Sequence, residues 1–539
     1  MRIRLILSKA LVFLFVVLLL TLALQQARSQ DIFGTINGTV TDTSGAVVPK
    51  AKVTITNEAT QISRTVTADD KGYYVATDVP VGTYTVTVDM DKFKTIKKTG
   101  NVLVAGGHLT VDVKLEVGAV TETVEVTATG VALNTSSAEV SRTVGSKELL
   151  SASLNERNYV QLITLMPGAV LTTFDQTTLT TGQAIAPANI NGLRTDGNLL
   201  TVDGGYNLDS GSNGTQLNNV GINFIHEVTI ETSNYSAEYG RSAASSVNVV
   251  TNSGGNQFHG DLFEYGRNND FDAKPAFSTL QELRFNDFGG DLGGPIIKHK
   301  LFFFGGIEWK RLVLPGDGPP KSLTLPTSPE LIGNFADTGL TLKAQGTVTA
   351  ASGCIGSYSG GPKDTNPLDF VPNTVTGTGT AINPSCITSG GKAIANIYNL
   401  METPGASPES AATFTNAATA NNATFAPVTP QNWQEAILRL DYIPTDNHSL
   451  YIRGLQDHLL LVDPFGPFSP GGALPTSPQL RIRPGYGVQV GDVWTVSPHL
   501  VNEAKFNVSW NQQRIPEVVP GLVESSGSRL SARYATCAC

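Results

Sequence analysis

Hydrophobic patterning changes most sharply between Ile225 and Gly255. There His226, Val228 and Ile230 alternate with Glu227, Thr229 and Glu231; a polar stretch follows from Ala237 to Ser242; then Val247, Val249 and Thr251 alternate until Ser253-Gly254-Gly255 stops the pattern. Period-two alternation bounded by turn residues predicts strand, turn, strand. Upstream, short alternating runs recur over Gly38–Thr41, Lys52–Asn57, Ser63–Ala68, Tyr73–Ala76, Tyr84–Asp89 and Thr110–Leu115. Asp42-Thr43-Ser44-Gly45, Asp69-Asp70-Lys71-Gly72 and Pro80-Val81-Gly82 separate them with residues that tight turns require. Two sheets packed over one core, a small β-sandwich, satisfy this pattern. Between the two β-rich parts, Leu149, Leu150, Leu154, Val160, Leu162 and Leu165 form an apolar stripe ended by Pro167-Gly168, which predicts a helix over 146–168.

Downstream of Gly255 the runs are longer and richer in aromatics. They cover Gln257–Arg267, Arg284–Ile297, Leu301–Leu312, Glu435–Ile443, His448–His458, Gly485–Val496 and Leu500–Trp510. In Glu435–Ile443, Leu438, Leu440 and Tyr442 oppose Arg439 and Asp441; in Leu500–Trp510, Phe506, Val508 and Trp510 oppose Lys505, Asn507 and Ser509. One apolar and one polar face per strand, with about 9 to 11 residues per crossing, suit a transmembrane β-barrel. Pro444-Thr445-Asp446-Asn447 and Ser497-Pro498-His499 are short turns, whereas Pro315–Asn432 is a long Gly-, Thr-, Ser-, Asn- and Pro-rich excursion, the asymmetry expected of outer-membrane strands.

The order of motifs resembles the TonB-dependent outer-membrane receptors of the Oar-like group. The residues that carry the likeness are Ile190-Asn191-Gly192-Leu193-Arg194, Leu200-Thr201-Val202-Asp203-Gly204, Val228–Glu231, Glu238-Tyr239-Gly240-Arg241 and Val247–Thr251. The resemblance implies a plug domain, with Asn191, Gly192, Arg194, Asp203, Gly204, Glu231, Tyr239, Gly240 and Arg241 as its motif residues. Asp203, Arg194, Glu231 and Arg241 are candidates for an internal charge network or for solvated surface groups. Ser245-Ser246 departs from the family's glycine pair; a requirement for positive φ there would strain serine. Thr121, Glu122, Thr123, Val124, Glu125, Val126, Thr127 and Ala128 resemble a TonB box, an extended segment able to pair with a partner's sheet edge; the same residues also read as the sandwich's last strand running into a linker. Gly38–Asp42 with Gly45 and Pro49, Asp70–Tyr74 and Pro80–Tyr84 resemble the carboxypeptidase regulatory-like domain, whose name implies no peptidase chemistry: His108 is the only histidine in that stretch.

The expected organisation is a signal peptide over 1–29, the sandwich over 30–118, the TonB-box-like segment over 119–130, the plug over 131–255 and barrel strands with long extracellular loops over 256–539. Arg2, Arg4 and Lys9, then Ala10–Leu24, then Ala27-Arg28-Ser29 have the order of a secretory leader cleaved near Gln30. The fold class expected is mainly β: an N-terminal β-sandwich, an α+β plug and the first strands of an incomplete outer-membrane β-barrel. Seven strands are an odd number, plugged transporters have about 22, and the pattern decays after Trp510 toward Cys537-Ala538-Cys539, so a C-terminally incomplete receptor is expected.

Composition narrows the chemistry. The 539 residues carry a formal charge of −9, and loss of the leader's Arg2, Arg4, Lys9 and Arg28 makes the balance more acidic, which disfavours nucleic acid as a partner. Charged residues are only 15% and glycines number 54, a profile of β architecture with polar turns. Cys354 and Cys386 share the long excursion and are a candidate disulfide; Cys537 and Cys539 are too close in sequence for an ordinary one. Zincin, nucleophile-elbow, Walker and dinucleotide motifs are absent, and the seven histidines are scattered singly, so no enzyme, cofactor or metal is expected. The expected function is energy-coupled uptake or export of an unidentified small substrate, carbohydrate and peptide being the classes considered. Its expected partners are a periplasmic energy-transducing TonB-type protein and outer-membrane lipid. The alternative is a non-transporting surface binding or assembly protein that uses the sandwich and the long loops.

Overall fold

The structure, a computed structural model, describes residues 33–514 apart from 119–122, 128–137, 153, 155–156, 172–187, 210–215, 236–242, 275–281, 316–320, 339–340, 344–352, 374–377, 403–410, 412, 418–420, 426–427, 464–478, 498–499 and 513. The leader, Thr121, Glu122, Ala128, Tyr239, Gly240, Arg241, Cys537 and Cys539 lie outside the described residues.

The N-terminal strands are β1 (Phe33–Asp42), β2 (Lys52–Asn57), β3 (Ser63–Thr67), β4 (Tyr73–Pro80), β5 (Gly82–Asp89), β6 (Thr95–Leu103), β7 (His108–Thr110), β8 (Val113–Leu115) and β9 (Thr123–Thr127). One sheet runs β4-β1-β7 with β8 also on β1; the other runs β3-β2-β5-β6-β9. Their inner faces close over Ile36, Val40, Val53, Ile55, Tyr74, Val86, Val88 and Leu115. Tyr74, buried in that core, donates its hydroxyl to the Val111 carbonyl at 2.6 Å, so the polar tip is satisfied. The Asp42 carboxylate accepts the Ser44 and Ala46 amides at 2.8 and 2.9 Å and so closes the first turn. β6 was not foreseen, because Lys97-Lys98 and Gly100-Asn101 mask its alternation; only Ile96, Asn101 and Leu103 of that strand are fully buried.

The middle unit is built on a five-stranded sheet, β10 (Val140–Gly145), β15 (Ile225–Ser233), β16 (Ser245–Thr251), β13 (Asn198–Val202) and β14 (Gly205–Tyr206) in that spatial order; β11 (Ala169–Leu171) and β12 (Ala188–Ile190) form a separate hairpin. β16 is central and buried along its whole length, which is why serines sit inside it. Ser245 and Ser246 have no left-handed φ, so the departure from glycine is not strained; Ser245 donates to Asn198 Oδ1 at 2.8 Å, whereas the Ser246 hydroxyl is buried without a hydrogen-bond partner among the described residues. The continuous helix expected over 146–168 is corrected. An α-helix covers Ser146–Ser151, Ala152 is extended, and a 3-10 helix covers Tyr159–Leu165. Asn158 restarts the helical path by accepting the Val160 amide, and the break lets Leu149, Tyr159 and Leu162 all enter one core.

Seven antiparallel strands form the wall: β17 (Leu262–Asn268), β18 (Arg284–Ile297), β19 (Leu301–Pro315), β20 (Val428–Thr445), β21 (His448–Asp463), β22 (Gln479–Ser497) and β23 (Leu500–Asn511). They pair in chain order, and among the described residues β17 and β23 each have one unpaired edge. β20 and β22 begin earlier than the amphipathic pattern indicates, at Val428 and Gln479, because their ladders continue into partners beyond the apolar stretch. An 18-residue strand rises about 60 Å, twice a bilayer core. Outward residues divide accordingly: Leu438, Ile452, Tyr442, Val488, Trp494 and Phe506 lie in the half near the short turns, whereas Asn432, Gln434 and His458 line the outer face of the far half. The excursion between β19 and β20 is more than a polar loop. It holds short strands, a helix over Ser389–Glu402, a small core of Leu325, Ala411, Ala423 and Phe425, and a Cys354–Cys386 disulfide with Cα atoms 5.6 Å apart.

Candidate functional site

The middle unit packs against the concave face of the wall, and chemistry concentrates where the two meet. Asp203 has φ 49° and Gly204 φ 77°, the paired positive values of a two-residue hairpin turn, which Asp-Gly adopts readily. The turn pushes the Asp203 carboxylate, fully buried, toward the wall. There it accepts Arg453 Nη1 at 2.7 Å, Arg439 Nη1 at 3.3 Å, the Thr251 amide at 2.8 Å and the Thr251 hydroxyl at 2.9 Å. Its backbone carbonyl accepts Gln489 Nε2 at 2.7 Å and the Tyr451 hydroxyl at 3.3 Å. Burial by itself would raise this carboxyl; Arg453 and Arg439, with the Thr251 bonds, hold it below the usual carboxylate range.

A second cluster lies deeper along the same interface. Lys310 sits between Glu308 at 2.8 Å and Glu435 at 3.4 Å. From the middle unit, Asn219 donates its side-chain amide to Glu435 and its backbone amide to Asp457 at 3.0 Å, while Arg157 pairs with Asp287 at 2.9 Å and lies over the Tyr265 ring, 3.7 Å from its centroid. The wall therefore presents ionic and amide side chains inward and hydrocarbon outward: Arg453 is 1% exposed and Leu438 on the neighbouring strand 56%. That is the reverse of a water-soluble sheet and matches a strand whose outer face meets lipid.

Of the four residues expected to form a charge network or solvated groups, Asp203, Arg194 and Glu231 are described, and Arg241 lies outside the described residues. Asp203 takes its cations from the wall, because the hairpin turn aims it outward from its own domain; Arg194 is exposed, and Glu231 is buried within β15. Asn191 and Gly192 form another positive-φ pair, and Asn191 Nδ2 reaches the Thr232 carbonyl at 3.1 Å, so this motif secures a turn against β15. Arg439, Arg453, Gln489, Glu308, Lys310, Glu435 and Asp457 were not singled out as site residues. Their signal was present as charged or amide residues on the non-aromatic face of amphipathic strands. Of the TonB-box-like segment, Thr123–Thr127 lies parallel to β6 at the edge of the sandwich sheet, with Thr123 beside Thr95 and Glu125 paired to Lys97 at 3.3 Å. Among the described residues no His, Cys, Asp and Glu cluster could hold a metal ion, and no helix is long and apolar enough to cross a membrane.

Comparison with known proteins agrees with this division. Residues 250–527 match the outer membrane beta barrel domain, 134–247 the TonB-dependent receptor plug domain and 35–116 the carboxypeptidase regulatory-like domain. The chain belongs to the TonB-dependent outer-membrane receptors. Within that family it resembles the TonB-dependent transporter Oar of Myxococcus xanthus, 29% identical over 291 residues, which are 51% of this chain and 26% of that protein. The chain thus spans about a quarter of the length of the curated relative it matches. Among solved structures it is similar to the outer membrane transporter YddB from Escherichia coli (TM-score 0.38, 9% identity, 69% of this chain and 38% of that one). It is also similar to a ferric enterobactin receptor mutant from Pseudomonas aeruginosa (TM-score 0.36, 12% identity, 70% and 42%). In this receptor the wall is outer-membrane β-barrel, the middle unit is plug, and the charge clusters are the plug–barrel interface.

Proposed function

We propose that the chain supplies the sandwich, the plug and seven barrel strands of an energy-coupled outer-membrane transporter. The observation that carries this reading is the Asp203 anchor: a plug carboxylate held by two barrel arginines ties the plug into the lumen, and a transporter must loosen such ties to open. The domain limits of 30–118, 119–130 and 131–255 fit this division, with the sandwich on the periplasmic side. Residues Thr121–Ala128 are the segment a periplasmic TonB-type protein would pull; support comes from β9, an edge strand whose outer backbone is free to pair among the described residues. Barrel strands exclude water only when their edges are met, so transport belongs to a wall in which β17 and β23 find partners. The folded excursion between β19 and β20, with its own small core and disulfide, favours the second reading, a non-transporting surface binding protein.

Binding of the full chain to the sheet domain of a periplasmic TonB-type protein separates the two. Val124→Pro removes the amide of a strand residue. Loss of binding in V124P supports the transport reading; binding that is equal in V124P and the parent chain, or absent from both, supports the other.

A further inference from the structure

The sandwich has a closed core of its own, yet it is seated on the short-turn rim of the barrel. Phe33 and Ala105 from the sandwich, Val250 from the plug, and Tyr451 and Val493 from the wall form one small apolar cluster. Around it the polar contacts are few. Ala105 donates its amide to the buried Glu227 carboxylate at 2.6 Å; the Asn256 amide donates to the Ala59 carbonyl at 3.0 Å; Asn256 Nδ2 and His299 Nδ1 both face the Thr60 carbonyl, the latter at 3.3 Å. Lys505 of β23 lies 5.4 Å from the Phe33 ring centroid. Contacts thus reach from the turn before β19 to β23, across the rim.

Between the three bodies the packing fails. A cavity of about 180 Å³ opens there, lined by Ile55, Arg64 and Tyr84 of the sandwich, His226 of the plug, and Ile443 and Leu450 of the wall. Interiors that fold as one unit leave few voids larger than a water molecule, whereas interfaces between separately stable domains tolerate them and permit relative motion. The sandwich core, by contrast, joins both its sheets without help from plug or wall.

We infer that the N-terminal sandwich is a detachable cover of the barrel's short-turn mouth, clamped by the Ala59–Asn256 and Ala105–Glu227 contacts and able to leave as an intact domain. That this mouth faces the periplasm rests on the transport reading; the docking and release do not. Departure would uncover Val250 and Glu227 on the plug and open the route between the sandwich and the wall. It would also carry β9 away from the rim, since β9 is held by the sandwich sheet.

The geometry supplies its own test. A Cβ built on Gly255 lies 3.7 Å from the Ala59 Cβ, the spacing a disulfide needs, with no closer contact than 3.4 Å. The variant is A59C/G255C in the full chain in detergent, with Cys537 and Cys539 changed to serine, followed by hydrogen exchange in its oxidised and reduced forms. The cross-link is expected to form, and oxidation is expected to slow exchange of the Ala105 amide by about tenfold or more while the β5 amides of the sandwich core are unchanged. Failure to cross-link in a chain with native circular dichroism would show that the docked geometry is not populated. A cross-link that leaves Ala105 exchange unchanged would show that the sandwich does not leave. Should the variant not fold, the unsubstituted chain decides: the Ala105 amide must exchange faster than the β5 amides, and exchange of both at one rate would overturn the proposal. None of these readouts uses a partner or substrate, so they stand apart from the outcome for V124P.

Discussion

Replacing Asp203 with Asn keeps the shape of the plug's hairpin turn and removes its charge, which isolates the ionic part of the anchor. Arg439 keeps Asp441 at 3.0 Å, but Arg453, almost fully buried, has Asp203 as its paired carboxylate. Breaking a buried pair from one side strands the other charge in a medium of low polarity and costs about 3–5 kcal/mol. We expect D203N to lose that much plug stability, and D203N/R453M to recover about 2 kcal/mol of it, because methionine removes the stranded charge while filling its volume. A multidomain chain does not unfold in one step, so the assay is hydrogen exchange on peptides covering β13 and β16, referenced to sandwich peptides in the same sample. The pH dependence has a definite sign. Asp203 is held below its ordinary value, so its contribution is present above the unfolded carboxylate pKa and is lost as pH falls through the lower folded value. The gap between D203N and the parent chain should therefore hold from neutral pH down to about 4 and close below it. A cost under about 1 kcal/mol, or single-variant costs that simply add in the double variant, would refute the anchor.

Other outcomes follow from the same geometry. Changing Cys354 and Cys386 to serine opens a loop of sequence separation 32 and should cost the excursion about 3–4 kcal/mol, read as faster protease nicking between residues 353 and 387; unchanged nicking would count against it. Burial pushes the Glu227 carboxyl up to about 7, against the Ala105 hydrogen bond; where the sandwich supplies that burial, docking takes up a proton. Docking is then strongest at low pH and weakens as pH rises from about 4.3 through 7, whereas E227Q should show no such trend in intrinsic-rate-corrected Ala105 exchange. A Cβ on Gly221 would lie 2.1 Å from Glu308 Oε2, so Gly221→Ala should loosen the plug by about 1–3 kcal/mol, measured on the peptides used for D203N; no change would mean that Glu308 moves aside freely.

Much of this receptor was legible one residue at a time. All seven wall strands were visible because lipid on one side and the plug on the other impose a period-two pattern that any barrel strand must carry. Asp203-Gly204 and Asn191-Gly192 announced turns, since only such residues accept paired positive φ readily. β6 and the broken helix were not legible. In the first, Lys97 and Lys98 interrupt the apolar face; in the second, Leu149 and Leu162 satisfy one helical stripe in sequence but reach the same core only through an extended Ala152. Ser245 and Ser246 would be strained only at positive φ, which neither adopts, and the Asn198 side chain that Ser245 meets lies on another strand.

The sequence by itself determined which residues could be buried together: local alternation and turn chemistry are properties of a few neighbouring positions. What each buried charge meets was decided by tertiary structure. Asp203 and Arg453 are 250 positions apart, and nothing in the pattern of either strand encodes the register that brings them to 2.7 Å. That register comes from packing the plug against seven strands at once, where a buried carboxylate and a buried guanidinium are each costly alone and stable only as partners.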